Sequence, residues 1–447
     1  MSGLKDRLSR LKGSMTGVKA GDAAIVVEDS ATDETAQAIE DPNADVSAHG
    51  HQWMGAEGRM EANEYGPFLI REVKYPLGHQ HGHYTLDKLI RRASELTLTD
   101  SLEPLRHDRM LFFDTETTGL GIGAGNVPFM IGIGFYTEEH FIVEQLFIRN
   151  PAEETAMLVY LQEKLGRYTH LVSYNGRTFD WPIVMNRYVM NRLRFQTNHV
   201  RHLDLLYPSR SLWRDTLESC RLGVVEEERL GIERGHDVPG SMAPALYFQY
   251  LATGDSSVLE GVFRHNERDI VTLACLSAHF GRLLSGDVPW EQLQPEELYR
   301  IGLWFGKAEK QELSAEAFRR LTALPDKQAA SYYIPLAEIH KKQGNYDAAV
   351  ELWLKYIGSS GKSSFHSLEP YVELSMYYEH RCKDYMLALY YAEEAADIAS
   401  RRQSLSRRDK KQRDQVQALE KRAERIRLKQ ARAAGKMQIE PDVWQLP

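Results

Sequence analysis

The pattern of hydrophobic and polar positions divides the chain into an α/β half and an all-helical half. Five runs rich in β-branched and aromatic residues predict strands, at 110–114, 127–136, 140–148, 170–174 and 200–206. The first three runs are joined by short connections, so we expect them to be antiparallel neighbours. Apolar residues at helical spacing predict helices at 151–168 and 180–190 and further helical segments to about residue 284. This order indicates an α/β fold with a mixed sheet flanked by helices.

Beyond about residue 295 the strand signals stop, and helical stretches follow one another in pairs. Ala349 lies 32 residues after Ala317 and 39 residues before Ala388, near the 34-residue period of tetratricopeptide repeats. The segment 344–349 resembles the turn and second helix of that motif. We therefore predict an all-α domain of about three helix pairs. A helical bundle without repeats is the alternative.

The predicted last helix, near 411–433, is strongly basic although the whole chain carries a net charge of −8. Residues 401–436 hold fourteen Lys or Arg and four Asp or Glu. An apolar stripe on this helix is expected to cap the helical domain, and it consists of Val416, Leu419, Ala423 and Ile426. Two interpretations of the charge stay open: an arm that follows nucleic-acid phosphates, and a solvated amphipathic helix.

The composition is that of an ordinary globular chain of two or three domains. Of the 447 residues, 43% are hydrophobic and 26% are charged, which excludes collagen-like and wholly disordered classes. The chain has no run of eighteen apolar residues, so no membrane span is expected. Three widely spaced cysteines support neither a disulfide framework nor a zinc knuckle. With no apolar stretch of a secretory signal near the N-terminus, we expect a cytoplasmic protein.

These patterns divide the chain into six expected segments. An acidic stretch, 21–45, has eight Asp or Glu and no Lys or Arg, which is typical of a segment that stays unfolded. The six segments are a flexible tail at 1–60, a lead-in at 61–108 that packs on the next domain, the α/β domain at 109–290, the helical repeats at 295–400, the basic amphipathic helix at 401–436 and a C-terminal tail at 437–447.

Acidic residues at three separate places are the candidates for chemistry. Asp114 and Glu116 follow the first predicted strand, where residues two apart point to the same face, and they repel each other unless a cation lies between them. Asp180 begins the second predicted helix, where its alternative role is that of an N-cap. His265 and Asp269 lie one helical turn apart, and an exposed intrahelical pair is their alternative role.

Together these residues resemble the three motifs of the DEDD superfamily of 3′–5′ exonucleases, which have an RNase H-like fold. The first motif corresponds to 114–120, which reads Asp-Thr-Glu-Thr-Thr-Gly-Leu. The second corresponds to 175–180, with Asn175, Phe179 and Asp180 in its defining places. The resemblance covers about 109–284. With the helical repeats added, the whole chain resembles the bacterial YprB-type family.

The resemblance implies a metal-dependent 3′–5′ exonuclease that hydrolyses phosphodiester bonds of single-stranded nucleic acid by a two-metal-ion mechanism. By position, Asp114, Glu116, Asp180 and Asp269 would bind two Mg²⁺ or Mn²⁺ ions, which prefer carboxylate oxygens. His265 would be the general base. It precedes Asp269 by four residues, whereas the family's histidine subtype has five, and one residue turns a side chain by about 100° around a helix.

The same motifs imply contacts with the terminal nucleotide. Thr117 and Thr118 would cradle it, Leu120 would wedge beneath its base, and Asn175 and Phe179 would contact it from the second motif. The alternatives are that the threonines only end a strand and that Leu120 belongs to the core.

A non-catalytic scaffold is the alternative function. Its RNase H-like domain and helical repeats would bind nucleic acid or protein with little turnover. Even for a nuclease, the motifs do not distinguish DNA from RNA, and they do not identify a protein partner of the repeats.

Two further sequence patterns are weaker evidence for a functional site. The glycines at 119, 121, 123 and 125 predict a flexible hairpin beside the site, because a strand follows where a dinucleotide site requires a helix. The alternating His79, His81 and His83 have no nearby Cys or acid, so a surface segment is favoured over a metal site.

Overall fold

A seven-stranded mixed sheet forms the centre of the first half of the structure, with strand order β1-β2-β7-β6-β5-β8-β9. The neighbours from β1 to β5 are antiparallel, and β8 and β9 run parallel to β5. The remaining two strands, β3 and β4, form a small separate hairpin. The nine strands are β1 Gly58–Asn63, β2 Gly66–Pro76, β3 Gln80–His81, β4 Tyr84–Thr85, β5 Met110–Thr117, β6 Pro128–Tyr136, β7 His140–Phe147, β8 His170–Ser173 and β9 Arg201–Asp204.

This computed structural model describes residues 58–97, 103–121, 123, 125–195, 200–235, 237–360, 367–405 and 410–437. The tail expected at 1–60 lies outside the described residues except for its last three positions, which begin β1. The tail expected at 437–447 lies outside them from residue 438 onward.

The five predicted strands are confirmed, and so is the antiparallel arrangement of the first three. No strand was predicted before residue 110, so β1 to β4 are additions to the prediction. Strands β1 and β2 fall at the beginning of the expected lead-in. Residues of that lead-in therefore pair directly with β7 as part of the sheet, and do not only pack against it.

Helices cover both faces of the sheet. The α-helices of this half are α1 Asp87–Ile90, α2 Glu154–Leu165, α3 Asp180–Met190, α4 Leu206–Trp213, α5 Leu222–Val225, α6 Ala243–Thr253 and α7 Glu260–Leu284. Short 3₁₀ or π turns occur at Ala93–Leu96, His107–Arg109, Pro151–Glu153, Glu226–Leu230, Gly240–Met242, Ser256–Leu259 and Trp290–Gln292.

Strand β5 shows how the two faces are built. Met110 and Phe112 belong to the hydrophobic cluster that includes much of α7, whereas Leu111 and Phe113 belong to the cluster that includes α2 and α3. This alternation follows from the two-residue period of a strand. It places the next even-numbered position, Asp114, on the side of α7.

The second half of the described chain is helical. Its α-helices are α8 Pro295–Lys307, α9 Gln311–Ala323, α10 Asp326–Lys342, α11 Tyr346–Ser360, α12 Glu369–Tyr377, α13 Tyr385–Leu405 and α14 Lys410–Met437, with a π turn at Tyr378–Cys382. Helices α8 to α13 pack in three consecutive pairs, as predicted. Their assignment as tetratricopeptide repeats stays a prediction. None of the helices within the described residues is long and apolar enough to cross a membrane.

The last helix, α14, packs its apolar stripe onto α13. The four residues of the stripe are all buried: Val416, Leu419, Ala423 and Ile426. Beside the stripe, Glu379 is fully buried and accepts hydrogen bonds from Arg425 and Lys429, each at 2.8 Å. Glu379 thus offsets a small part of the positive charge of α14, and both interpretations of that charge stay predictions.

Candidate active site

The first two candidate acids lie at the end of β5, on the side covered by α7. Asp114 pairs with Gly132 of β6, and the register shifts between Glu116 and Thr117, which ends the regular ladder. Glu116 is buried and Asp114 is partly buried. The two carboxylates therefore share one face of the sheet, at the edge formed by the C-terminal end of β5, as the sequence predicted.

Asp180 reaches the same edge from the beginning of α3 and is buried. Its carboxylate accepts a hydrogen bond from the hydroxyl of Thr115, which lies between the two acids of β5. The alternative role as an N-cap is wrong: α3 begins at Asp180 itself, its N-cap position is Phe179, and there is no side-chain cap hydrogen bond.

Helix α7 brings the remaining candidates, His265 and Asp269, together with Asn266, to this edge. Asn266 is fully buried, and its amide Nδ2 donates to Oδ2 of Asp114 at 2.9 Å. Nε2 of His265 lies 3.7 Å from Oδ2 of Asp269. The side chains of His265 and Asp269 are only 16% and 13% exposed, so the alternative of an exposed intrahelical pair is wrong.

The four acids interact electrostatically. The pKa of Asp114 is raised well above its ordinary value, first by burial and then by the charges of Asp269, Asp180 and Glu116. The pKa of Glu116 is raised in the same way, by burial and then by Asp269 and Asp180. Burial also raises the pKa of Asp180, to about 6, although the hydrogen bond from Thr115 lowers it. The structure thus brings the four acids into one repelling cluster.

One cation already faces this cluster: Arg234, in the segment between α5 and α6. Its Nη2 donates to Oδ1 of Asp269 at 2.5 Å, its Nη1 donates to Oδ2 of Asp237 at 3.0 Å, and its Nε donates to the buried Glu226. Burial would lower the pKa of Arg234, but the hydrogen bond to Glu226 and the charge of Asp269 raise it, so the guanidinium stays charged.

His265 is held by a carboxylate of the same segment. Its Nδ1 lies 2.8 Å from Oδ2 of Asp237 and 3.3 Å from Nη1 of Arg234. Burial would raise the pKa of Asp237, but His265 and Arg234 lower it instead, so this carboxylate is ionised. Nδ1 of His265 therefore faces Asp237, and Nε2 is the ring nitrogen that faces Asp269.

The residues predicted to contact the substrate lie around the cluster of acids. Thr117 is buried and donates to the carbonyl of Gly119 at 2.8 Å, and the hydroxyl of Thr118 accepts from the backbone of Val127 at 3.0 Å. Both hydroxyls therefore hold the loop after β5. Leu120 is 67% exposed, so its alternative placement in the core is wrong.

In the second motif, Asn175 is exposed and has a φ of 63°. Its Oδ1 accepts from Thr178 at 3.0 Å, and its backbone N–H donates to Asp204 at 2.8 Å. Phe179 is partly buried beside Asp180. Thus Leu120 and Asn175 are the two predicted contacts with exposed side chains, and the threonines and Phe179 are more enclosed.

Sequence reasoning missed several residues that hold the site. The segment after α5 carried no motif, so Arg234 was not singled out, and Asp237 had no assigned role. Asn266 lies inside the third motif, between His265 and Asp269, and its helical position toward the sheet was the signal that could have found it. Their partners lie far away in the sequence, which local patterns do not reveal.

As the side chains stand, no three His, Cys, Asp or Glu residues within the described ranges are close enough to hold one ion. In this arrangement Thr115 donates a hydrogen bond to Asp180, and Arg234 donates one to Asp269. The four carboxylates are hard oxygen donors of the kind that suits Mg²⁺ or Mn²⁺, and the pKa values of Asp114, Glu116 and Asp180 are raised. The three alternating histidines were expected to lie on the surface. His81 departs from this expectation, because it is buried enough for its pKa to be lowered to about 4.

Comparison with known proteins places the chain in a family. It is 35% identical to the uncharacterized protein YprB of Bacillus subtilis (strain 168) over 340 residues, which are 74% of this chain and 81% of YprB. The chain belongs to the YprB family. Within this YprB-family protein, residues 111–280 match the RNase H superfamily, and this range contains all four candidate acids.

Among solved structures, this YprB-family protein is similar to the family B DNA polymerase of Pyrobaculum calidifontis. The TM-score is 0.32 at 13% sequence identity, and the match covers 55% of this chain and 30% of the polymerase. The RNase H superfamily domain and the helices that follow it are the parts of the fold that the sequence predicted correctly.

Proposed function

We propose that the protein is a metal-dependent 3′–5′ exonuclease that acts on single-stranded nucleic acid. The observation that carries the proposal is the convergence of Asp114, Glu116, Asp180 and Asp269, in which burial and mutual repulsion raise the pKa of Asp114 and Glu116 well above their ordinary values. Repelling buried carboxylates cost folding free energy, and a cation-dependent reaction gives them a use. Membership of the RNase H superfamily supports a nuclease.

The four carboxylates would hold two divalent ions, Mg²⁺ or Mn²⁺. Such ions, when bound, supply Lewis-acid activation of water and stabilise the charge that develops on the leaving 3′ oxygen. Asp114 is the natural central ligand, because its pKa responds to all three of the other acids. Asn266 fixes the orientation of Asp114 through its hydrogen bond at 2.9 Å.

His265 is the general base in this proposal, and Asp237 positions it. The contact of 2.8 Å between His265 Nδ1 and the carboxylate of Asp237 leaves Nε2 able to accept a proton from the attacking water. A carboxylate on the far nitrogen also stabilises the imidazolium that results. This support from Asp237 offsets the departure of His265 from the usual motif spacing.

The exposed Leu120 and Asn175 would contact the terminal nucleotide. Leu120 offers an apolar surface for a base, and Asn175 offers an amide for the sugar–phosphate. Thr117, Thr118 and Phe179 would shape the loop and the wall behind them. Leu120→Ala is expected to raise the Michaelis constant for a single strand, and unchanged kinetics would remove this residue from the site.

The proposed activity is tested with a purified single strand labelled at its 5′ end. With Mn²⁺ or Mg²⁺, the protein should shorten the strand stepwise, and Asp114→Asn should lower the rate by more than the 10–100-fold that is typical of a residue supporting a metal ligand. Asp255→Asn, an exposed acid that only bonds Ser257, is the matched control and should keep full activity. Cleavage of a closed circular strand, or a rate that Asp114→Asn leaves unchanged, would contradict the proposal.

A second candidate function, a nucleic-acid-binding scaffold without turnover, is favoured by one observation. Arg234 already pairs with Asp269 at 2.5 Å and so supplies a cation to the cluster without a metal. For a scaffold, strand binding would be unaffected by chelation of divalent ions, and no product would form with Mn²⁺. For the exonuclease, Mn²⁺ would be taken up and the strand shortened.

The helical half is proposed to hold a protein partner through tetratricopeptide-like repeats. The three packed pairs from α8 to α13 support this architecture. A cytoplasmic location is also proposed, because Cys220, Cys275 and Cys382, which the structure describes, are all free thiols.

A further inference from the structure

A cavity of about 320 Å³ lies on the next face of α7, beside the acidic cluster. Arg264, Glu267 and Arg268 line it from α7, and their spacing places them on one side of the helix. Each of the two arginines directly precedes a residue of the candidate site, so the cavity and the site differ by about 100° around the same helix. Arg71 of β2 and His81 of β3 line the opposite wall.

The lining of this cavity is basic. All of its lining residues are described, and the Arg, Lys, Asp and Glu residues among them are three arginines and one carboxylate, Glu267. That carboxylate is already satisfied, because Nη1 of Arg71 lies 2.6 Å from its Oε2 and the hydroxyl of Tyr75 donates to its Oε1. The charge of Arg71 is thereby offset, and no other carboxylate of the lining offsets those of Arg264 and Arg268. The cavity therefore has a net positive charge.

Arg264 and Arg268 keep much of their capacity to bind an anion. Arg264 is 70% exposed and pairs with Glu260, which is 43% exposed, and such surface pairs are worth little. Nη1 of Arg268 donates to the backbone carbonyl of Arg234 at 3.0 Å and lies 3.9 Å from Asp237. These contacts use one of the five N–H donors of its guanidinium.

The contacts of Arg268 also connect the cavity with the candidate site. Asp237, beside Arg268, holds His265, and Arg234 holds Asp269. A phosphodiester that approaches the acidic cluster is repelled by it, and a basic cavity at its border offsets this repulsion. His79 and His81 add polar groups without adding charge, because burial lowers their pKa and they stay neutral at neutral pH.

We propose that this basic cavity, with Arg264 and Arg268 as its anion ligands, binds a phosphate ester of the nuclease substrate. The ester is either a backbone phosphate of the single strand or the phosphate of a released mononucleotide, since both present the same anionic oxygens to a guanidinium. The proposal deepens the proposed exonuclease function and rests on it for the identity of the ligand. The volume of the cavity is at the small end of the range for ligand pockets, which suits a single nucleotide unit.

The test measures binding of a fluorescent oligothymidylate and of thymidine monophosphate to full-length protein in the Asp114→Asn background, which prevents degradation. Arg264→Gln and Arg268→Gln are each expected to weaken binding by about tenfold, because each removes a charge-assisted contact. For the strand, each should also lower the slope of log affinity against log salt by about 0.7. Arg319→Gln, an exposed arginine on α9 that bonds only Glu316, is the matched control and should bind as the background does.

A loss of binding for the strand alone identifies a backbone phosphate as the ligand, and a loss for the monophosphate identifies the released product. Either result supports the proposal. If both variants bind both probes like Arg319→Gln, the proposal is overturned.

Because Arg264 is exposed, its variant keeps the fold and remains informative even if Arg268→Gln unfolds. If the wild-type protein has no nuclease activity but binding still depends on the arginines, the proposed exonuclease function fails and the proposed phosphate site stands. If the wild-type protein is active but the arginine variants bind like the control, the phosphate site fails and the exonuclease function stands.

Discussion

Asp114 and Glu116 lie where a charged carboxylate is unfavourable. Burial and the neighbouring acids raise the pKa of both, so the ionised forms oppose folding. A group whose pKa is raised by folding holds its proton longer in the folded than in the unfolded protein. The contribution of these acids to stability is therefore most favourable at low pH and declines as the pH rises from the ordinary pKa to the raised one. For Asp180 this fall extends from its ordinary pKa of 3.8 to about 6.

Neutralising one member of the cluster should therefore stabilise the metal-free protein. In the presence of a chelator at about pH 8, we expect Asp114→Asn to raise the melting temperature. Because this chain has 447 residues, the rise should be smaller than the roughly 2–4 °C that about 1 kcal/mol produces in a protein of about 150–250 residues. At about pH 5 the gain should shrink, because more of the carboxyls carry protons. Differential scanning calorimetry measures both values.

Asp255→Asn is the control for this prediction, because Asp255 is exposed and its pKa is lowered by hydrogen bonds from Ser257. Its melting temperature should stay near that of the wild type. A lower melting temperature for Asp114→Asn at about pH 8 would show that the cluster is not under repulsion.

At the residue scale, the sequence singled out the candidate acids but not their partners. Asp114, Glu116, Asp180 and Asp269 could be singled out because each belongs to a short motif. Arg234 could not, because a salt bridge between residues 35 positions apart leaves no local pattern.

Among the elements, the packing of α7 on the sheet depends on two glycines of β6. A Cβ atom added to Gly134 would lie 2.4 Å from Cγ2 of Ile270, and one added to Gly132 would lie 2.2 Å from Oδ1 of Asn266. Asn266 and Ile270 are one turn apart on α7, and the two glycines are one strand repeat apart. The absence of a side chain at Gly132 and Gly134 therefore lets α7 approach β6 closely enough for Asn266 to reach Asp114.

A side chain at Gly132 or Gly134 should push α7 away from β6. We expect Gly134→Ala to lower the free energy of unfolding by about 1–3 kcal/mol, the usual cost of overpacking a core. Gly132→Ala should in addition lower nuclease activity, because it displaces the amide that orients Asp114. Urea denaturation and the strand-shortening assay measure the two effects.

The matched variant is Gly121→Ala, because the space around Gly121 is open to 4 Å. It should change neither quantity. Equal unfolding free energies for Gly134→Ala and Gly121→Ala would contradict the close approach of α7.

The elements that the sequence missed have a physical explanation. Strand β2 contains the apolar run Phe68, Leu69 and Ile70, but its partner β7 is about 70 residues away, and long-range pairing is not encoded locally. Strand β1 is an edge strand with Arg59 and Glu61 exposed or partly exposed, which hides the alternation of a half-buried strand. The central strands were predictable because they are buried on both faces.

At the scale of the whole molecule, α14 is held by polar as well as apolar contacts. Glu379 is fully buried, and burial would raise its pKa, but Lys429 and Arg425 lower it instead. A pKa lowered by folding contributes stability above the ordinary value of 4.5, and this stability is lost as the pH falls through the lowered pKa. The docking of α14 should therefore weaken in acid.

Removing this carboxylate should loosen the end of the helical half. We expect Glu379→Gln to lower the unfolding free energy by about 1–3 kcal/mol, less than the 3–5 kcal/mol typical of a fully buried pair, because its cationic partners are partly exposed. Limited proteolysis followed by mass spectrometry should detect earlier cleavage within α14. Glu393→Gln breaks an exposed pair with Arg427 and is the control, so equal cleavage rates for the two variants would contradict the prediction.

The seam between the two halves has a consequence for how they work together. Ile301 and Phe305 of α8 and Ala317 of α9 belong to the same hydrophobic cluster as α7, and Arg229 pairs with Glu297 at 2.8 Å. Swinging the helices outward would expose this apolar surface to water, which is unfavourable in proportion to its area. A partner bound by the helices, as proposed above, would therefore be held at a fixed distance from the four acids.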